Sequence, residues 1–171
     1  MNIKTVLLFV MLSAFLLTFV PNESLSQRVV RNYNESITAN PLALAFGILP
    51  INYEMQVSRD NSLTLGAVYL GYQEWTGVAV SGIYKWYSFQ EQELAIKGFG
   101  FGPYLSVGYI GYENDTYDNR LTLAIGAEAS YKWIVDDLVL EPVLNVNYNV
   151  LNDDGMEWRF FFLGVNLGYA W

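Results

Sequence analysis

The chain has neither cysteine nor histidine among its 171 residues. Without Cys there is no disulfide and no thiolate metal site. Without His, the usual acid–base and triad chemistries are excluded, as is the commonest metal ligand. No other catalytic, metal or cofactor motif emerges, so a non-enzymatic protein without a cofactor is expected. Charge is scarce too: 15% of residues, against about 25% in soluble domains. The net charge of −8 argues against nucleic acid, whose affinity comes mainly from phosphate neutralisation. Beyond the N-terminal segment, no uninterrupted apolar run reaches the ~18 residues that a helical span requires.

What is present is apolar: 53% of the chain is hydrophobic. Residues 1–20 carry Lys4, then an apolar run from Val6 to Val20, followed by Pro21 and the small polar stretch Asn22-Glu23-Ser24-Leu25-Ser26-Gln27. This is the pattern of a secretory signal peptide. It predicts a signal at 1–26, a short periplasmic lead at 27–37, and one domain at 38–171.

That domain has period two. Ile51, Tyr53, Met55 and Val57 alternate with Asn52, Glu54, Gln56 and Ser58. Residues 121–133 alternate likewise, as do 138–150 and 159–171. Strict alternation over roughly 10 residues is the length a tilted strand needs to cross a bilayer. Turn-rich breaks at 49–50, 58–61, 73–76, 90–93, 113–119, 135–137 and 152–157 predict strands at 39–48, 51–58, 62–72, 77–88, 97–112, 120–134, 138–151 and 158–171. The expected fold is all-β: an eight-stranded antiparallel up-and-down transmembrane β-barrel.

Three of these runs end in Tyr-x-Trp: Tyr84 and Trp86, Tyr131 and Trp133, Tyr169 and Trp171. Residues i and i+2 share a strand face. In an up-and-down meander these three strands run the same way, so the six rings meet at one rim. Such a girdle suits a bilayer interface, because Tyr and Trp have an apolar body and a polar tip. Tyr69, Tyr109 and Tyr148 fall near the opposite ends of the other strands. A soluble lipocalin-like ligand-binding barrel alternates equally well but turns its apolar face inward. The apolar face here is Leu, Val and Ile between aromatic rims. The polar face is Gly, Ala, Ser and Asn with few charges, which suits a narrow lumen and bilayer lipids as the outer partner.

Glu54, Lys85, Glu128, Lys132 and Glu141 fall on that lumen face. A hairpin turning at Asp136-Asp137 places Lys132 opposite Glu141 and Glu128 opposite Asn145. Such a cluster can serve a narrow porin-like channel or transporter for small solutes or ions. Alternatively it neutralises itself in a packed interior, the reading favoured here because an eight-stranded lumen is just wide enough to be filled. The acidic stretches at 115–118 and 152–155 lack the full ligand spacing of a calcium loop. Gly98 to Pro103 lacks the Lys-Ser/Thr ending of a phosphate loop and reads as small inward residues between outward Phe99 and Phe101.

With signal, alternation and girdle together, the chain resembles the small OmpA/OmpX-type barrels of Gram-negative bacteria. Trp171 with Tyr169 matches that group's C-terminal aromatic pattern, while Asn166 stands where the group usually has Gly. The motifs Asn40-Pro41-Leu42-Ala43-Leu44-Ala45-Phe46-Gly47, Asn52-Tyr53-Glu54, Tyr84-Lys85-Trp86-Tyr87 and Gly102-Pro103-Tyr104 resemble an uncharacterised family of outer-membrane barrels common in Bacteroidetes. The resemblance implies the bacterial outer membrane as location and the barrel assembly machinery as a partner during insertion. The expected role is structural or surface-interacting. No signal for an oligomeric state is found.

Overall fold

The computed structural model describes residues 33–72, 75–88, 96–112, 115–151 and 159–171. The expected signal peptide, the turn at 90–93 and the loop at 152–157 lie outside them. The elements are β1 (Glu35–Ala39), α1 (Pro41–Leu44), β2 (Ile48–Gln56), β3 (Asn61–Tyr72), β4 (Trp75–Ser88), β5 (Gly98–Tyr112), β6 (Asp115–Val135), β7 (Leu138–Asn149) and β8 (Arg159–Ala170). The eight strands pair antiparallel in chain order and β8 returns to β1, closing the barrel.

Alternation sets the two faces as expected. Leu163 is 67% exposed and Leu167 47% on the outside, whereas Lys132 is 0% exposed within. This orientation is the reverse of a soluble barrel's. The β6–β7 turn is the two-residue loop Asp136-Asp137, with φ of 48° and 71°. Positive φ at both central residues matches the right-handed twist of the flanking strands. The turn fixes the register, and Glu128 pairs with Asn145 as predicted.

Seven strands fall where the alternation predicts, but the first does not. The expected strand at 39–48 is instead β1 at Glu35–Ala39 followed by α1, so the barrel begins within the stretch read as a periplasmic lead. The reason lies at Asn40-Pro41. Asn40 Oδ1 accepts from the Leu42 and Ala43 amides at 3.0 and 3.1 Å, and Pro41 occupies the first helical position, where a missing N–H costs nothing. Gly47, at φ 68°, turns the chain into β2. Leu49-Pro50, read as a break, lies inside β2. The break read at 113–119 is mostly strand as well: β5 ends at Tyr112, β6 begins at Asp115, and a register shift separates Ile110 from Tyr112.

Candidate functional site

The lumen charges come from β2, β4, β6 and β7, each on an inward position between outward aromatics or aliphatics. All five predicted residues meet. Lys85 Nζ lies 2.9 Å from Glu141 Oε1, 3.2 Å from Glu128 Oε1 and 3.6 Å from Glu54 Oε2. Lys132 Nζ lies 2.5 Å from Glu54 Oε2. Its predicted cross-strand partner Glu141 is farther, at 4.0 Å. The principal partner of Lys132 is therefore across the barrel, not beside it. Glu54, Lys85, Lys132 and Glu141 are each at most 2% exposed.

Neutral groups complete the hub. Ser62 Oγ and Tyr87 Oη both donate to Glu54 Oε1, at 2.5 and 2.6 Å. Lys132 also donates to Ser36 Oγ on β1 at 3.1 Å. Asn145 donates to Glu128 Oε2 at 3.3 Å, and Asn166 on β8 to Glu141 Oε2 at 3.5 Å. Buried ions are tolerated only when paired and hydrogen-bonded, and these satisfy that condition. The hub therefore links seven of the strands across the axis. It bears on closure, because β1 meets β8 over only five residues, 35–39 against 167–171.

Tyr87 and Asn166 were not predicted, although both share parity with predicted residues. Ser36 escaped because it lay in the assigned lead. Below the hub, Ile134, Val139 and Ala170 pack together with Tyr33 and form an apolar floor.

Each hub lysine sits beside a gap in the strand ladder. Tyr84 and Lys85 have no β5 partner in the ladder, and Tyr131 and Lys132 have no β7 partner. Extending the register puts Pro103 opposite Tyr84 and Pro142 opposite Tyr131. Proline has no N–H to give to those tyrosine carbonyls. Gly102 is needed at the first gap, since a Cβ there would collide with the Tyr84 carbonyl and come 3.1 Å from Lys85 Cα.

Outside, at the same level, lie the three Tyr-x-Trp pairs. Tyr84, Trp86, Tyr131, Trp133, Tyr169 and Trp171 all project outward. The rings contact within each pair, with centroids 5.5, 4.6 and 6.2 Å apart. Phe101 joins Trp86 at 5.7 Å and Phe99 at 6.0 Å, and Tyr53 joins Trp171 at 6.4 Å. Two hydroxyl tips find acids: Tyr53 donates to Glu35 at 2.7 Å and Tyr169 to Asp137 at 3.3 Å. Tyr69, Tyr109 and Tyr148 project outward nearer the far end. On β5, Phe99 and Tyr109 are ten residues apart, about 25 Å along the axis for a strand tilted by roughly 40°. The outward positions between them are Phe101, Pro103, Leu105 and Val107.

No family model and no curated protein matches the chain.

Proposed function

We propose that the chain is a bacterial outer-membrane β-barrel whose role is structural or surface-interacting and whose axis does not conduct. The observation that carries this reading is the pairing of faces: an uncharged outward band bounded by aromatic rings, around an interior whose charges pair with one another. A band about 25 Å tall is what outer-membrane barrels present to hydrocarbon. A soluble barrel needs the opposite arrangement of faces, which weighs against a lipocalin-like carrier. The resemblance to OmpA/OmpX-type barrels and the C-terminal Tyr169 and Trp171 support the same location, with the barrel assembly machinery as partner during insertion.

The burial of Lys85, Lys132, Glu54 and Glu141, above the apolar floor, argues against a solute path. The test is planar-bilayer recording of the refolded chain, whose folding is scored by heat-modifiable gel mobility. The structural reading expects a gel shift without steady current. Steady open-channel currents abolished by Glu128→Gln or Lys132→Met would establish the channel reading instead.

A further inference from the structure

Above Ala39 the barrel wall has a seam. β1 ends there, paired with Leu167 of β8 and Ile51 of β2, while β8 continues back to Arg159 and β2 to Ile48. Ladder parity shows which main-chain groups face the gap. Trp171 exchanges both bonds with Glu35, and Ala170 donates to Asp137 on the other side. Odd-numbered β8 residues thus turn their main chain toward β1, and Val165, Leu163 and Phe161 turn theirs toward the gap. On β2, Gln56 donates to Asn34, so the even positions face β1, and Pro50 is the first beyond the last pair.

The two prolines stand on this seam. Continued register would put Pro41 opposite Val165 and Pro50 opposite Asn40. Neither has an N–H to donate, so neither ladder can zip upward. The short helix α1 fills the gap instead. Its outward surface and both lips are apolar: Leu44, Phe46 and Leu49 on one side, Phe161 and Leu163 on the other, all exposed. Behind it Asn40 is 1% exposed, and its Nδ2 has no hydrogen-bond partner. Gly164 leaves room there, since a Cβ would strike Asn40 Nδ2 and the Phe162 ring. Above the hub the inward positions include Ala79 and Ala124, with Asn52 and Ser81 lying over Gly66, and Thr122 over Gly108.

We infer that this seam is a lateral portal through which one acyl chain of a bilayer lipid enters the far half of the lumen when α1 moves aside. This rests on the membrane reading proposed above. The hub closes the axis below, and the apolar lips adjoin the hydrocarbon phase. The free Asn40 amide supplies one donor for an ester carbonyl, which is the acceptor nearest a lipid's chains.

The test is photolabelling in palmitoyl-oleoyl phosphatidylcholine vesicles containing a phosphatidylcholine with a mid-chain diazirine, with labelled residues mapped by mass spectrometry. The expected result is label on outward Val80, Leu105 and Leu163, and also on inward Phe162 and Ala79. In the Pro41→Val/Pro50→Val variant, which regains both donors, inward label should fall at least fivefold while outward label stays. Inward label equal in the two proteins would overturn the seam as the route. Outward label with no inward label in the unsubstituted protein would overturn the portal alone, and needs no variant to fold. Absence of outward label would instead sink the membrane reading and take the portal with it.

Discussion

Lys132 on β6 reaches across the barrel axis to Glu54 on β2, with Nζ 2.5 Å from Oε2, whereas Glu141 on the adjacent strand lies 4.0 Å away. The same ammonium donates to Ser36 on β1. One side chain thus ties β6 to β2 and to β1, the shortest strand in the wall. Lys132→Met should cost about 3–5 kcal/mol, because Glu54 is left buried without its nearest cation. Urea titration of the refolded protein, read by gel mobility, measures it. Lys132→Met/Glu54→Gln should recover about 1–3 kcal/mol of that loss as coupling energy.

Gly102→Ala tests the gap at Pro103. The added Cβ meets main-chain atoms of Tyr84 and Lys85, which cannot rotate away as a side chain can. Overpacking of this kind costs about 1–3 kcal/mol. The same titration should show that loss, whereas Gly82→Ala, at a position with open space around it, should stay within about 0.5 kcal/mol.

Much of this architecture was legible in the sequence. Period two located seven strands, because each carries a full apolar face such as Leu121, Leu123, Ile125 and Tyr131. The β6–β7 register was legible because Asp136-Asp137 permits a two-residue turn, and that placed Glu128 opposite Asn145. The first strand misled because Leu42 and Leu44 alternate with alanines, which look the same in a helix and in a strand. The signal that resolves it was present in Asn40-Pro41, an N-cap followed by a first-turn proline. The Lys132–Glu54 pair was not legible. Parity says that both point inward, but their heights depend on the stagger accumulated around the closed barrel, and no single hairpin reveals it.

Leu105→Arg tests what the band faces. Leu105 lies between Phe99 and Tyr109 and is exposed. Near a bilayer midplane the substitution should cost about 2–4 kcal/mol of unfolding free energy in vesicles. On a water-facing surface it would change stability by no more than about 0.5 kcal/mol.

The chain has no native cysteine, so single spin labels can be placed along β6 from 121 to 132 without background. Collision rates with oxygen and with a water-soluble nickel chelate then report what each position meets. Strong oxygen contact and little nickel contact are expected at Leu121, Leu123, Ile125, Ala127 and Ala129, alternating with low oxygen contact at Gly126 and Ser130 beside the hub. Strong nickel contact at the odd positions, or no alternation, would contradict a lipid-facing outer surface.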